Sequence, residues 1–276
     1  MDEPGPAVPV DGLRAIFDED AALYDRARPG YPAELLADLR SFAGLGPGAT
    51  IIEIGPGTGQ ATLPLVASGA AVSAVELGPS MAARLRDNVA RAGAVGVAGA
   101  GVVDVVVAAF EDWPLPGRLF DAVVAFTAWH WLDPDVRTAK VAAALRPGGV
   151  LATVTTLHVD NDQDQFSADV QACYDRWDPA TTPGFRPPSA AEAPPVLDEV
   201  DVSELFEPGV RRRFTADVVY SAAAYVDVLH TYSNHRALSP EQREGLFACI
   251  RRLITEAYGG RVTKRYLYEL RLARRR

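Results

Sequence analysis

A glycine-rich turn between a strand and a helix constrains this chain more than any other feature. Residues 50–54 form a short apolar run typical of a buried strand, and residues 60–68 have the pattern of a helix. Gly55, Gly57 and Gly59 lie between the two. Glycine adopts backbone angles that other residues avoid, and it lets a ligand approach the main chain closely. The turn therefore predicts a ligand site beyond the carboxyl end of the first strand of an open α/β sheet.

Strands and helices alternate after this turn. Apolar runs predict further strands over residues 71–76, 102–108, 120–126 and 150–155, with helices over residues 79–92 and 134–145. Asp133 is expected to cap the second of these helices, and Pro134 suits its first position. Continuous apolar strands separated by helices indicate a parallel sheet covered on both faces.

The flanking regions add elements to this core. Before the first strand, helices are predicted over residues 13–24 and 33–42. After the core, strands are predicted over residues 211–220 and 262–272, and a helix over residues 222–232. A further helix begins at Ser239, with Gln242 reaching back to cap it. The fold class predicted is a doubly wound, mostly parallel, seven-stranded Rossmann-like α/β sheet with N-terminal helices and an inserted lid region.

The predicted domain organisation has four parts. Residues 1–12 are a disordered lead-in, and residues 13–156 form the ligand-binding core with its N-terminal helical cover. Residues 157–209 are rich in Asp, Pro and Ala, which indicates an insertion that covers a substrate pocket. Residues 210–276 complete the sheet.

Composition excludes several classes of function. The net charge is −9, whereas nucleic-acid enzymes usually present a basic face. The arginine runs at 211–213 and 274–276 are interpreted as a solvated strand edge and tail. No apolar run reaches membrane-spanning length, and the acidic N-terminus does not resemble a secretory signal. Cys173 and Cys249 have no metal-ligand spacing, so neither a disulfide framework nor a zinc site is expected, and a cytoplasmic location is predicted.

An acidic residue supports a nucleoside ligand for the glycine turn. Glu76 ends the second predicted strand, 17 residues after Gly59, and a carboxylate there can accept hydrogen bonds from both hydroxyls of a ribose. The dinucleotide fingerprint requires Gly or Ala where this chain has Gln60. The glycine spacing therefore favours a cofactor without a pyrophosphate.

The chain resembles class I S-adenosylmethionine (SAM)-dependent methyltransferases. The resemblance lies in the glycine turn with Glu53 and Glu76, and in two later segments, Phe110-Glu111-Asp112-Trp113-Pro114 and Leu145-Arg146-Pro147-Gly148-Gly149. Residues 24–32 and Trp129-His130-Trp131 are similar to the small-molecule branch called type 11. The resemblance covers residues 13–156, and it implies SAM as cofactor.

The resemblance also implies roles for single residues. The glycines would pack beneath the methionine part of SAM, and Glu76 would bind the ribose hydroxyls. The remaining cofactor-binding residues implied are Glu53 beside the turn, Leu77 against adenine, Phe110 and Glu111 at the adenine edge, and Tyr24 and Arg28 over the methionine carboxylate. Many relatives carry an aspartate for the adenine amino group where this chain has Ala109. That contact must come from Glu111 or from backbone groups.

His130 is the candidate catalytic base. It follows the fourth predicted strand, and a histidine titrates near neutral pH, which suits removal of a proton from a methyl acceptor. The alternative is a packed aromatic turn in which the histidine is hydrogen-bonded. His230 and His235 are interpreted as structural. Asp133 and Asp135 are interpreted as a helix start, so no metal is predicted.

Three classes of function remain open from the sequence. The leading hypothesis is methyl transfer to an oxygen, nitrogen or carbon of a small organic molecule, such as a secondary metabolite or an organic acid. The second is a protein of the same fold that does not methylate and uses SAM structurally or in a rearrangement. The third is an NAD(P)-dependent oxidoreductase, against which Gln60 argues. Nucleic acids and membranes are not expected as partners.

Overall fold

A seven-stranded sheet forms the centre of the computed structural model, which describes residues 17–94, 101–161 and 165–276. The strands β1 to β7 are Thr50–Ile54, Ala71–Glu76, Val103–Val107, Phe120–Phe126, Leu145–His158, Val210–Ser221 and Arg261–Arg274. Their order across the sheet is β3-β2-β1-β4-β5-β7-β6, and β1 to β5 pair in parallel. The predicted fold class is confirmed.

The helices α1 to α9 cover most of the connections: Ala21–Ala27, Ala33–Ala43, Thr62–Ala67, Pro79–Ala94, Pro134–Ala144, Phe166–Trp177, Ala222–His230, Ser233–Arg236 and Pro240–Ala257. Two predicted helix starts are confirmed. Asp133 accepts a hydrogen bond from the Asp135 backbone at the start of α5. Ser239 and Gln242 form a reciprocal capping box at the start of α9.

Two element boundaries differ from the sequence prediction. β5 was expected over residues 150–155, but it begins at Leu145 directly after α5 and ends at His158. The helix expected over residues 13–24 is instead a 3-10 turn, Phe17–Asp20, followed by α1. The predicted lead-in, residues 1–12, lies outside the described residues, as do residues 13–16.

The chain folds into two compact units. Of the described residues, unit 1 contains 17–28, 158–161, 165–193 and 217–266, and unit 2 contains 29–94, 101–157, 194–216 and 267–276. The glycine turn lies in unit 2, and most of the predicted insertion lies in unit 1. The role of that insertion as a lid stays a prediction.

The two central strands are the most buried elements of unit 2. Ile51 and Ile52 in β1, and Val123 and Val124 in β4, have no accessible surface. These strands are buried on both faces, as expected of a parallel sheet covered by helices. The sheet order reverses between them, because β2 follows β1 on one side while β4 lies on the other. Such a switch point opens a crevice beyond the carboxyl ends of the strands.

The basic runs lie at an edge strand and at the tail, and they also form contacts within the protein. Arg211, Arg212 and Arg213 are in β6 at the edge of the sheet and form ion pairs with Asp201, Asp38 and Glu269, respectively. The last three arginines donate to backbone carbonyls, including those of Gly148, Leu145 and Phe206. The predicted strand edge is confirmed, and Arg213 and Arg276 are exposed.

Cys173 and Cys249 form a disulfide, which the sequence analysis did not expect. They lie on α6 and α9, which pack together in unit 1 with the two Cα atoms 5.8 Å apart. Gly245 and Trp177 lie one helical turn from Cys249 and Cys173, respectively. A Cβ at position 245 would collide with the Trp177 ring, so the glycine leaves room for that ring. The prediction failed because this pairing depends on helix packing across 76 residues, not on local spacing. The prediction of a cytoplasmic location rested partly on reduced cysteines, and the disulfide removes that support.

No helix among the described residues is both long enough and apolar enough to cross a lipid bilayer.

Reduction of the disulfide is expected to destabilise the protein by about 2–4 kcal/mol, since the cross-link restricts the unfolded chain. The free energy of unfolding should be measured by urea titration with and without a reductant. A Cys173→Ser/Cys249→Ser variant is the control, and the reductant should leave its stability unchanged. Two reactive thiols in the denatured, unreduced wild-type protein would contradict the pairing.

Candidate cofactor site

The glycine turn has the geometry that the sequence predicted. Gly55, Gly57 and Gly59 have φ angles of 61°, 58° and 104°, a region that disfavours other residues. A Cβ at Gly55 would lie 2.7 Å from the Cβ of Ala128, and a Cβ at Gly59 would lie 2.7 Å from Leu85 Cδ1. The first and third glycines are thus required by close packing as well as by backbone angle.

Glu76 holds this turn against the end of β2. One carboxylate oxygen accepts a hydrogen bond from the Gly57 backbone and the other from the Gly78 backbone, both at 2.9 Å. The side chain is only 9% exposed. A carboxylate has about four lone-pair sites and can accept several hydrogen bonds at once. The arrangement suits the predicted binding of two ribose hydroxyls.

Glu53 is a buried acid without a compensating partner. It lies in β1 beneath the turn, is 1% exposed, and neither carboxylate oxygen has a hydrogen-bond partner among the described residues. Burial raises the pKa of Glu53 to about 7; the nearby Thr62 hydroxyl lowers it in part, and the charge of Glu76 adds to the rise. An ionised carboxylate in such a place needs a cation. The ammonium group of a bound amino acid would provide one.

These observations test whether SAM fits the site. The turn exposes main chain, Glu76 offers acceptors suited to a diol, and Glu53 offers an unpartnered acid suited to an ammonium. SAM carries both a ribose and an α-ammonium group. The residues present therefore fit this cofactor, which supplies an activated methyl group when bound.

The residues predicted to contact adenine occupy different environments. Leu77 is 37% exposed directly after Glu76, as a ligand contact requires. Phe110 is buried in the apolar cluster that includes Ile54 and Val75. Glu111 accepts a hydrogen bond from the Asp133 backbone at 3.1 Å, so one of its oxygens is held at the start of α5. The three assignments stay predictions.

Tyr24 and Arg28 lie together in unit 1. The Arg28 guanidinium lies 5.1 Å from the Tyr24 ring and 4.4 Å from the Tyr232 ring. It donates to the Thr231 hydroxyl at 2.8 Å and to the Thr231 carbonyl at 2.9 Å. Two of its donors are therefore engaged. The predicted contact with a methionine carboxylate stays a prediction.

His130 and its aromatic neighbours follow β4. Trp129 is buried, with the Arg137 guanidinium 4.8 Å from its ring. His130 is exposed, and its ring lies 4.9 Å from that of Trp131. Partial burial and the charge of Arg137 lower the pKa of His130 below its usual value of 6.5. The imidazole is therefore mostly neutral at pH 7 and able to accept a proton.

The sequence analysis missed Thr127, which lies at the carboxyl end of β4. Its φ of 55° is unusual for a β-branched residue. Its hydroxyl lies 2.8 Å from that of Thr156 and 3.2 Å from that of Tyr31. Strained residues of this kind cluster at functional sites. Sequence gives no signal for a strained threonine, although its place after an apolar strand marks the correct edge of the sheet.

The other candidates behave as capping or packing residues. His235 is buried, with Nδ1 3.0 Å from the Leu229 carbonyl oxygen and Nε2 3.1 Å from the Tyr174 hydroxyl. The ring of His230 packs edge-on against Phe247 at 4.4 Å. Among the described residues, no group of three or more His, Cys, Asp or Glu side chains is arranged to hold a metal ion.

Comparison with known proteins identifies this region. Residues 52–153 match the type 11 methyltransferase domain family. This part of the chain is therefore similar to known methyltransferase domains. An uncharacterised methyltransferase of Mycobacterium bovis is 36% identical over 138 residues, which are 50% of this chain and 51% of the relative. The chain thus spans about half the length of the curated relative that it matches.

Solved structures show the same fold. A SAM-dependent methyltransferase from Thiobacillus denitrificans, in complex with S-adenosylhomocysteine, has a TM-score of 0.51 at 17% identity, with all of both chains covered. The cyclase SpnF has a TM-score of 0.54 at 17% identity, covering 98% of this chain and 97% of SpnF. At these identities the likeness supports the fold of the methyltransferase domain, not its acceptor.

Binding of SAM is expected to release a proton from Glu53 below pH 7. The carboxylate would pair with a cation, while the cofactor-free acid has a pKa of about 7. Affinity should therefore fall as pH drops below 7, approaching about tenfold per unit. Calorimetry in two buffers of different ionisation enthalpy measures the proton release.

Glu53→Gln is the matched control for this coupling, because the amide keeps the shape of the acid but has no charge. Its SAM affinity should be lower and nearly independent of pH between 5.5 and 8, a range set around the Glu53 pKa of about 7. Equal proton release by the variant and the wild-type protein would remove Glu53 from the coupling.

Proposed function

We propose that this chain is a SAM-dependent methyltransferase acting on an oxygen, nitrogen or carbon atom of a small organic molecule. The observation that carries the proposal is the placement of two glutamates at the glycine turn: Glu53 is buried beside it without a hydrogen-bond partner among the described residues, and Glu76 accepts from the Gly57 backbone. The match of residues 52–153 to a methyltransferase domain supports the same activity.

The acceptor proposed is a small molecule rather than a nucleic acid. The net charge is −9, and the two arginine runs form contacts within the fold instead of a free basic face. Neutralisation of phosphates drives most nucleic-acid binding, and the arginines at 211–213 are already paired with carboxylates. A secondary metabolite or an organic acid is the proposed class of acceptor.

Catalysis of methyl transfer depends chiefly on positioning. The sulfonium is an excellent leaving group, so a nucleophile held in line with the methyl group needs little further activation. A base is needed only where the acceptor must lose a proton. We assign that task to His130, which is exposed at the carboxyl edge of β4 and neutral at pH 7.

A protein that does not methylate is the second candidate. SpnF, named as a cyclase, shares the fold at 17% identity, so this architecture is also found in a protein named for a different reaction. The two candidates differ in whether S-adenosylhomocysteine is formed. Product analysis therefore separates them.

Methyl transfer is tested by incubating the protein with methyl-labelled SAM and a metabolite mixture. S-adenosylhomocysteine and one labelled small molecule are expected, detected by mass spectrometry. Glu76→Ala is the control: loss of its charged hydrogen bonds should weaken SAM binding by about 1–3 kcal/mol and reduce product accordingly. Cofactor binding without S-adenosylhomocysteine in any mixture would favour the second candidate.

His130→Ala is expected to lower turnover while SAM affinity stays within a few-fold of the wild-type value, provided that the acceptor loses a proton. Wild-type turnover should decline only below pH 6.5, because the pKa of His130 lies under that value and protonation removes the base. Single-turnover rates and calorimetric SAM titration measure the two effects. Unchanged single-turnover chemistry with loss of SAM binding would defeat the assignment.

A further inference from the structure

A short segment beyond the family match braces the turn that carries His130. This aromatic turn is the 3-10 helix Trp129–Trp131. The brace comes from a second 3-10 helix, Glu199–Val202, whereas the family match ends at residue 153. Both helices belong to unit 2. Residues 157–209 were predicted to cover a substrate pocket, but Glu199 contacts Arg137 of α5 instead.

The Trp129 carbonyl links the brace to His130. It belongs to the planar peptide unit that joins Trp129 to His130, so its direction sets that of the His130 main chain. The Leu132 backbone donates to this oxygen at 3.2 Å, and Arg137 Nη1 donates to it at 2.6 Å. The guanidinium also lies 4.8 Å from the Trp129 ring. Arg137 thus holds the residue before the candidate base by its main chain and by its ring.

Glu199 fixes the guanidinium of Arg137 in turn. Arg137 Nε donates to Glu199 Oε1 at 2.6 Å, and Nη2 donates to Oε2 at 2.7 Å. The Thr138 hydroxyl also donates to Oε1, at 2.8 Å. A bidentate pair restricts the plane of the guanidinium as well as its distance. Since Nη1 is engaged with the Trp129 carbonyl, each nitrogen of the guanidinium has an acceptor.

The helix that carries Glu199 is itself anchored in the fold. Asp198 and Asp201 form a reciprocal capping box at its start, and Arg271 of β7 forms an ion pair with Asp198. Val200 is buried in the apolar cluster that also contains Trp129. A continuous series of contacts therefore runs from β7 through Glu199 and Arg137 to the aromatic turn.

Two opposite charges meet beside His130. Desolvation, and after it the charge of Arg137, lowers the pKa of His130. Desolvation acts to raise the pKa of Glu199, but the hydrogen bond from Arg137 outweighs it and lowers that pKa to about 2. Glu199 is therefore ionised wherever His130 titrates, and it compensates part of the guanidinium charge. A neutral residue at position 199 would leave that charge acting on the imidazole in full.

We infer that Glu199 is a positioning residue for His130, which acts through Arg137 by orienting the peptide unit before His130 and by compensating the guanidinium charge beside the imidazole. The inference rests on the proposed function in that it gives His130 the task of a base. An arginine without the carboxylate would keep its charge but lose the bidentate contact that stops the guanidinium from rotating.

Magnetic resonance titration of the four histidines in the cofactor-free protein tests the inference without a methyl acceptor, with His130→Ala to assign the signal. Glu199→Gln should lower the His130 pKa by a few tenths of a unit, because the charge of Arg137 loses its compensation. Arg137→Met should raise it, because that charge is removed. A general loosening of the turn would expose the imidazole to water and raise the pKa in both variants.

Asp121→Asn is the matched control. Asp121 forms an ion pair with Arg146 at 2.7 Å, and its side chain is 26% exposed, against 30% for Glu199. It lies near the start of β4, at the opposite end of that strand from the aromatic turn. The thermal midpoints of Asp121→Asn and Glu199→Gln should fall by similar amounts, whereas Asp121→Asn should leave the His130 titration unaltered.

Turnover is measured with methyl-labelled SAM and the metabolite mixture. Glu199→Gln should form S-adenosylhomocysteine several-fold more slowly at unchanged SAM affinity. The acid limb of its pH profile should move to lower pH by the same amount as the His130 pKa, because a weaker base stays deprotonated further into acid.

Four results would overturn the inference: a wild-type His130 titration in Glu199→Gln, a shift of the same direction in Arg137→Met, an equal shift in Asp121→Asn, or wild-type turnover and pH profile in Glu199→Gln. A wild-type protein that forms no S-adenosylhomocysteine would refute the proposed function instead. The histidine titration would then still decide whether Glu199 positions His130.

Discussion

The hydrogen bonds between the Glu76 carboxylate and the main chain of Gly57 and Gly78 organise the cofactor site. They join the turn after β1 to the end of β2, so two neighbouring strands present their carboxyl ends as one surface. The left-handed glycines make this possible, because a side chain at Gly55 or Gly59 would collide with Ala128 or Leu85. The Glu76 carboxylate and the left-handed backbone of the glycines thus stabilise the same turn after β1.

Glu53 and Glu76 show how environment gives two glutamates different properties. Glu76 receives two main-chain donors, which compensate a negative charge. Glu53 receives none from the described residues, and its pKa rises because the side chain is buried and, to a smaller extent, because it lies near that charge. A neutral acid that ionises when a cation arrives gives the site a preference for ligands with an ammonium group. Such a preference would distinguish SAM from nucleosides that carry only the ribose.

Local sequence predicted those parts of the fold that local physics determines. The bounds of β1, β2 and β4 agree with the apolar runs, because buried parallel strands need continuous apolar residues. The helix caps at Asp133 and Ser239 could also be predicted, because a cap depends on residues within one helical turn. Glycine spacing and an acid at the end of the next strand also predicted the candidate cofactor site.

Properties that depend on distant residues could not be predicted in this way. The disulfide requires α6 and α9 to pack side by side, and Arg212 and Arg213 of β6 are paired with acids far along the chain. The unpartnered state of Glu53 and the strained backbone of Thr127 are likewise tertiary properties. The sequence identified the acid at position 53 without revealing that its charge is uncompensated.

The match to known methyltransferase domains covers only part of the chain. It ends at residue 153, whereas α6 to α9, β6 and β7 all follow it. Family resemblance therefore bears on the cofactor and gives no information about the side chains of these later elements.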